Sequence, residues 1–220
     1  MCGRFAFYSP ADAAAALFEF DVPFTTEPRY NIAPTQLVPV VRPARTGGRE
    51  FTMLRWGLVP FWAKDPSIGN RMINARAETL AEKPAYRGAY EKRRCLILAD
   101  GFYEWRKEGG GKTPYFISLA NGQPFAFAGL WEAWTDRSTG ESLHTTAIVT
   151  TAANEFLKDL HDRMPVVLQP DTAGAWLAGN RDVVNAVTAN PPQFQAWPVD
   201  GKVNDARIEG PELIVKGATS

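Results

Sequence analysis

The feature that most constrains the fold is a series of short segments rich in apolar, β-branched and aromatic residues, separated by glycine and proline. Such segments are predicted to be strands near Leu37–Val41 and over Phe51–Gly57, Arg94–Trp105, Pro114–Leu119, Pro124–Trp131 and Leu143–Thr150. Three glycines at 109–111 and the Asn121-Gly122 pair separate neighbouring segments, and Asn-Gly is a strong hairpin signal. The pattern therefore predicts an antiparallel meander.

Helical patterns are short by comparison. Helices are predicted from Pro10 to about Phe20, from Thr151 to Leu160, and over Thr172–Leu177 and Val183–Val187. No internal repeat, low-complexity tract or linker divides the chain. We therefore expect the α/β (α+β) class, with residues 1–220 forming one compact domain whose β-rich, antiparallel core is flanked by short helices.

Composition excludes several classes of protein. Hydrophobic residues make up 45% of the 220 residues and charged residues 22%, which excludes disordered, collagen-like and coiled-coil chains. No apolar run reaches the ~20 residues of a membrane helix, and the first residues do not form a secretory signal. Two cysteines and two histidines are too few for a disulfide framework or a zinc site. We therefore expect a cytoplasmic protein that needs no metal.

Charge is balanced overall but unevenly distributed along the chain. The net charge is zero, yet residues 1–112 carry 17 of the 24 Lys and Arg and only 12 of the 24 Asp and Glu. This excess permits a basic face that attracts phosphate, and charges scattered over a neutral surface explain it equally well.

Cys2 stands directly after Met1 and before Gly3, where a small residue normally permits removal of the initiator methionine. Removal would place an α-amine with a pKa of about 7.7–8.0 beside a thiol with a pKa of about 8.5. Such a 1,2-aminothiol can capture an aldehyde, since the amine forms a Schiff base and the thiol then closes a thiazolidine ring. Position alone, however, favours an incidental cysteine.

Two further residues could transfer protons. Glu104 lies among aromatic residues, which would raise the pKa of its carboxyl, and a carboxylate paired with arginine on an edge strand is an equal alternative. His161 follows the helix predicted to end at Leu160, where the negative end of the helix dipole favours the protonated imidazole. A structural cap on that helix is the alternative for His161.

The segment Ile73–Thr79 alternates small or apolar residues with polar ones. An extended conformation would direct Asn74, Arg76 and Glu78 to the same side, with an amide and a guanidinium suited to a nucleic-acid backbone. Upstream, Arg55–Trp62 combines cations with aromatic rings that could stack on bases, although core packing is the commoner use of tryptophan.

Six short segments form a pattern that spans nearly the whole chain: Met1–Phe5, Tyr30–Pro34, Arg55–Pro60, Ile73–Thr79, Ala99–Trp105 and Leu160–Pro165. In content and order they resemble the SOS-response-associated peptidase family of abasic-site processing proteins. The resemblance implies a β-rich, barrel-like domain with a groove for single-stranded DNA, in which the N-terminal cysteine lies.

In such proteins the cysteine at the position of Cys2 joins the ring-opened aldehyde of an abasic site through a thiazolidine, which shields the lesion as a DNA–protein crosslink. The resemblance also implies that Asn74 orients the ring or the amine, that Glu104 shuttles protons, and that His161 assists Schiff-base formation. It implies DNA contacts at Arg4, Pro34, Trp62, Arg76 and Thr150. Peptidase-like removal of the residues before the cysteine and some abasic-site lyase character belong to the same expectation.

Two other functions are open from the residues alone. Cys2 could be the nucleophile of a peptidase or amidohydrolase, or the chain could be a non-enzymatic module that binds single-stranded nucleic acid. The aminothiol mechanism requires no metal and no cofactor, and we expect a monomer whose partner is single-stranded DNA containing abasic sites. If bacterial, the protein would lie in the cytoplasm and join the nucleoid when bound to DNA.

Overall fold

The computed structural model describes residues 2–217, so the predicted removal of Met1 falls outside the described residues. The strands are β1 Phe5–Phe7, β2 Arg29–Ile32, β3 Leu37–Pro43, β4 Arg49–Trp56, β5 Asn74–Arg76, β6 Arg94–Ala99, β7 Gly101–Glu108, β8 Gly111–Leu119, β9 Phe125–Thr135, β10 Ser142–Ala152, β11 Arg163–Pro165, β12 Val167–Leu168 and β13 Phe194–Pro198. The helices are α1 Ala11–Phe18, α2 Pro84–Lys92, α3 Pro170–Leu177 and α4 Val183–Ala189. Short 3-10 helices cover Pro66–Arg71, Ala77–Thr79, Gly201–Asn204 and Pro211–Ile214.

Five strands close into a barrel in the order β10, β4, β3, β6 and β9, with β9 pairing back to β10. The expected α/β (α+β) class with a β-rich barrel core and short helices is confirmed. The core is not antiparallel throughout, because β10 runs parallel to both β4 and β5. This part of the prediction is wrong because β10 takes its parallel partners from distant parts of the chain, a choice that no local turn controls.

The two predicted turns behave differently. The glycine-rich turn joins β7 and β8 as a hairpin, as predicted. The hairpin predicted at Asn121-Gly122 is wrong, because β8 pairs with β7 and β13 whereas β9 pairs with β6, β10 and β12. Gly122 does adopt a φ of 70°, so the chain turns there, but the turn carries it from one sheet to the other. Each strand pairs extensively elsewhere, and those pairings decide the topology.

The second sheet has the order β13, β8, β7, β1 and β2, and it packs against the barrel through aromatic rings. The Phe5 ring meets Trp56 and Phe127 edge to face, with centroids 5.2 and 5.5 Å apart. On the opposite face, Tyr103 and Phe116 pack in a smaller cluster that includes Leu213 near the C-terminus. Strands β1 and β7 are therefore covered on both faces, which holds the neighbouring side chains in fixed positions.

Gly101 at the start of β7 offers a test of this packing. A Cβ atom there would overlap the Phe116 ring and lie 2.7 Å from the backbone oxygen of Ile117, which cannot rotate away. We expect Gly101→Ala to lower the free energy of unfolding by about 1–3 kcal/mol, measured by chemical denaturation. Gly201→Ala is the control, because its Cβ would be 3.7 Å from the nearest atom. Equal stability of the two variants would contradict the close approach of β7 and β8.

Candidate active site

Cys2 lies just before β1 and its side chain is fully buried. The thiol makes a weak hydrogen bond to the backbone oxygen of Arg4, with Sγ 3.8 Å from that oxygen. Burial, followed by the negative charge of Glu104, raises the pKa of the Cys2 thiol far above its ordinary value. The thiol is therefore protonated at neutral pH, and it needs a nearby base to become a nucleophile.

Asn74 holds the backbone of Cys2. Its Nδ2 donates to the backbone oxygen of Cys2 at 2.7 Å, and the Tyr86 hydroxyl donates to the backbone oxygen of Asn74 at 3.1 Å. Pairing of β5 with β10 places Asn74 opposite Ile148. The Oδ1 atom of Asn74 is buried and accepts no hydrogen bond from the described residues. An acceptor suited to an amine N–H is thus available beside Cys2.

Glu104 lies in β7 and is only 4% exposed. Burial raises the pKa of its carboxyl to about 7, and the negative charge of Asp162 acts in the same direction. Glu104 acts in turn on the Cys2 thiol, so the Glu104 carboxyl lies within electrostatic range of both Cys2 and Asp162. Because β7 lies between β1 and β8, the edge-strand alternative for Glu104 is wrong. A carboxyl that is half ionised near neutral pH can both give and take a proton.

His161 lies in the connection between β10 and β11, and the helix predicted before it is absent. Strand β10 extends to Ala152, and residues 155–160 form successive turns. No helix dipole favours the imidazolium, and the helix-cap alternative fails for the same reason. Burial instead lowers the pKa of His161, so the ring is neutral near pH 7.

The contacts of His161 identify its tautomer. The backbone N–H of Arg163 donates to Nδ1 at 3.0 Å, which leaves the proton on Nε2. Asp162 Oδ1 also lies 2.7 Å from Nδ1, a contact that would require a proton on Nδ1. The amide is fixed by the backbone whereas the Asp162 side chain is 86% exposed and can rotate into water. We therefore assign the neutral Nε2–H form, which offers a hydrogen-bond donor.

Arg163 ties the His161 connection to the segment that follows β5. Its guanidinium donates two hydrogen bonds to Glu78, at 2.6 and 2.9 Å, and a third to the backbone oxygen of Thr150 at 2.8 Å. The hydrogen bonds from Arg163 lower the pKa of Glu78, which is therefore ionised. No sequence pattern singles out Arg163 directly. The one indirect signal is that the segments Ile73–Thr79 and Leu160–Pro165 carry an acid, Glu78, and a base, Arg163, with no other assigned role.

Three of the five predicted DNA contacts are accessible. Arg76 is exposed at the end of β5 and forms no ion pair with the described residues. Trp62 is 45% exposed, and Pro34 is half-buried. These side chains can meet a ligand without any change in the structure.

The other two support their neighbours. Arg4 is half-buried, and its Nη1 donates to Asn31 Oδ1 at 2.7 Å and to the backbone oxygen of Val203 at 2.6 Å. Thr150 is fully buried, with its Oγ1 3.3 Å from Nη2 of Arg163. Thr150 thus contacts Arg163 and pairs with Arg76 across β10 and β5, so its influence on a ligand would pass through these neighbours.

Neither a metal-binding cluster nor a membrane-spanning helix is found among the described residues. Among residues 2–217, no group of three or more His, Cys, Asp and Glu side chains is arranged to hold a metal ion. Within the same residues, none of the helices combines the length and apolar character needed to cross a membrane. A cavity of about 660 Å³ lies beside Asn154, Phe156 and Phe194, and none of the four predicted catalytic residues lines it.

Comparison with known proteins covers nearly the whole chain. Residues 1–206 match the family described as SOS response associated peptidase (SRAP). The chain belongs to this family. The SRAP chain is 41% identical to abasic site processing protein YoaM of Bacillus subtilis, over 97% of each chain. It is 36% identical to abasic site processing protein YedK of Escherichia coli, over 97% of this chain and 99% of the relative.

Solved structures share the SRAP fold. A protein from Bacteroides thetaiotaomicron superposes with a TM-score of 0.81 over 99% of this chain and 100% of its own, at 24% identity. A phage-related protein from Bordetella bronchiseptica has a TM-score of 0.70 at 30% identity, over 90% of this chain and 94% of its own. The first likeness shows the fold alone, and the relatives named above carry the description of abasic-site processing.

Proposed function

We propose that this SRAP protein captures abasic sites in single-stranded DNA by forming a thiazolidine between Cys2 and the aldehyde of the ring-opened sugar. The relatives' shared description as abasic site processing proteins supports the substrate. The observation that carries the mechanism is the Asn74 contact to the Cys2 backbone, 2.7 Å long, beside a carboxyl whose pKa is about 7. The resulting crosslink would shield the lesion.

The mechanism first requires a free α-amine on Cys2. Hydrolysis of the bond before Cys2 consumes one water and releases methionine, in keeping with the peptidase in the family's name. We expect intact mass spectrometry of the purified protein to show the chain without Met1. A sample that crosslinks fully while it retains methionine would exclude thiazolidine formation.

The amine then attacks the aldehyde carbon. The protonated Glu104 carboxyl gives its proton to the departing hydroxyl, so that one water leaves and an iminium ion forms. Asn74 Oδ1 accepts an N–H of the amine and thereby orients its lone pair. His161 donates from Nε2 to the aldehyde oxygen, which polarises the carbonyl.

Ring closure uses the same carboxyl as a base instead of an acid. The Glu104 carboxylate takes the proton of the Cys2 thiol while sulfur bonds to the iminium carbon. The product is a five-membered ring with a neutral nitrogen, and Glu104 regains its proton. The iminium ion also acidifies the neighbouring C2′ hydrogen, so β-elimination competes with ring closure and accounts for lyase character.

Arg76 is proposed to bind a phosphate of the DNA strand, because it is exposed and follows Asn74 by two positions in β5. We expect Arg76→Ala to weaken binding of undamaged single-stranded oligonucleotides of any sequence and to lower the salt slope by about 0.7. Fluorescence anisotropy at several salt concentrations measures both quantities. The control is Arg181→Ala, another exposed arginine, between α3 and α4. Equal slopes for the two variants would remove Arg76 from the DNA-binding surface.

A further inference from the structure

A second cavity, of about 370 Å³, lies where the β3–β4 hairpin meets β9 and β10. Its charged and aromatic lining consists of Arg42, Arg45, Glu50, Trp131 and His144, and we refer to it as the hairpin cavity. His144 precedes Ile148, the strand partner of Asn74, by four residues in β10, which corresponds to about 13 Å along the strand. The hairpin cavity is therefore separate from the site around Cys2.

Arg42 lines this cavity, and within residues 2–217 only the Nε atom of its guanidinium forms a hydrogen bond. Its Nε donates to Glu50 at 2.5 Å, and its guanidinium carbon lies 4.1 Å from the centre of the Trp131 ring. The Arg42 side chain is only 12% exposed, and its Nη1 is buried without a hydrogen-bond partner among the described residues. Buried donors are almost always paired in folded proteins, and Arg42 lines the cavity, so a small shift of its guanidinium would present this donor to an acceptor from outside the chain.

The remaining polar side chains favour an anion as that acceptor. Arg45 is exposed in the turn of the hairpin, so it can add a second cation to the same cavity. Glu50 is the one carboxylate in the lining, and it is partly neutralised by Arg42. The His144 ring lies 5.9 Å from Trp131 and adds a group that becomes cationic on protonation.

We propose that the hairpin cavity binds a phosphate group, held between the free donors of Arg42 and the side chain of Arg45. Guanidinium groups match the geometry of phosphate oxygens and offer two donors to each anion. The cavity has the volume of a small-molecule site, and Trp131 and His144 give it an aromatic wall for the sugar or base attached to the phosphate. The phosphate could belong to a free nucleotide or to a DNA backbone, since both present the same chemistry.

His144 is a direct reporter of this binding. The chain has only two histidines, so a His144→Gln variant assigns the two imidazole signals in an NMR titration. Burial, followed by the positive charge of Arg42, lowers the pKa of His144, while the negative charge of Glu50 opposes this shift, and a bound anion would raise the pKa further. We expect saturating inorganic phosphate, and separately dTMP, to raise the pKa of His144. An unchanged pKa of His144 would overturn the proposal.

Two variants with opposite expected effects locate the anion. Arg45→Gln should weaken phosphate binding about tenfold, because it removes one charged donor. Glu50→Gln should tighten binding, because it removes the carboxylate that competes for Arg42. The control variant is Arg181→Gln, which should bind phosphate as the unmodified chain does. If Arg45→Gln and Glu50→Gln both match the control, the anion does not bind in the hairpin cavity.

The source of the phosphate is decided in a Cys2→Ala background, in which the proposed crosslink cannot form. If Arg45→Gln weakens the binding of both dTMP and a long single-stranded oligonucleotide, the cavity accepts the DNA backbone. If it weakens dTMP alone, the cavity accepts a free nucleotide. If Arg45→Gln weakens the binding of neither dTMP nor the oligonucleotide, the proposal is overturned. The cavity does not include Cys2, Asn74 or Glu104, so failure here leaves abasic-site capture unaffected.

Discussion

Cys2→Ala is expected to form no adduct with abasic single-stranded DNA that survives denaturing electrophoresis. Alanine retains the α-amine after removal of Met1, so the Schiff base still forms, but it has no thiol to close the ring. The Schiff base then hydrolyses during denaturation. Reduction with sodium borohydride should trap it, so the variant should give an adduct with the reductant and none without it.

Cys2→Ser and a binding measurement complete this test. The serine hydroxyl closes an oxygen-containing ring less favourably, so we expect at most a slower or less stable adduct. Both variants should bind undamaged single-stranded DNA as the unmodified chain does, because the Asn74 contact is made to the backbone of residue 2. A stable adduct from Cys2→Ala without reductant would exclude Cys2 as the nucleophile. Under the two alternative functions the unmodified protein would behave differently. As a peptidase it would form an acyl-enzyme with peptides, and as a binding module it would form no adduct at all.

Local sequence signals predict the elements whose partners are also local. The sequence predicts a helix that starts at Pro10, and α1 is found at Ala11–Phe18, since proline fits the start of a helix. The three glycines at 109–111 make the β7–β8 hairpin because those strands pair with each other. Long-range pairing overrides equally strong signals elsewhere. Thr151 was expected to begin a helix, but it pairs with Met164 of β11 and so continues β10.

In the active site, too, local sequence signals do not predict the contacts that depend on long-range pairing. Burial of Glu104 is one of two equal interpretations that its aromatic neighbours allow, and the structure decides in its favour. The contact between Asn74 and Cys2 joins residues 72 positions apart, and spacing alone does not predict it. The parallel alignment of β5 with β10 fixes the position of Asn74, and only the resemblance to a family placed Asn74 beside Cys2. The neutral state of His161 also depends on tertiary structure, because its pKa is set by burial rather than by a helix.

Glu104→Gln is the second substitution with a large expected effect. Glutamine keeps the size of the side chain but cannot exchange a proton, so DNA binding should persist while crosslinking slows by about 10²–10⁴-fold. The pKa of about 7 predicts an inflection near neutral pH in the crosslinking rate of the unmodified protein. Single-turnover rates with an abasic oligonucleotide, measured between pH 5 and 9 on the two proteins, should show the inflection near pH 7 only where Glu104 is present, whereas the titration of the Cys2 α-amine at about pH 7.7–8.0 should remain in both.

The pH dependence of stability provides an independent measure of the raised pKa of the Glu104 carboxyl. Burial raises the pKa of Glu104 from 4.5 to about 7, so the folded chain holds a proton that the unfolded chain has released between these pH values. The folded state therefore loses stability as pH rises through this window, and the loss is complete above about pH 7. Glutamine carries no such proton, so Glu104→Gln should gain stability relative to the unmodified chain over the same window, as measured by chemical denaturation. A slow variant that shows no such gain would indicate that the pKa of Glu104 is not raised in the folded chain, whereas the gain together with an unchanged crosslinking rate would make Glu104 a buried residue without a catalytic role.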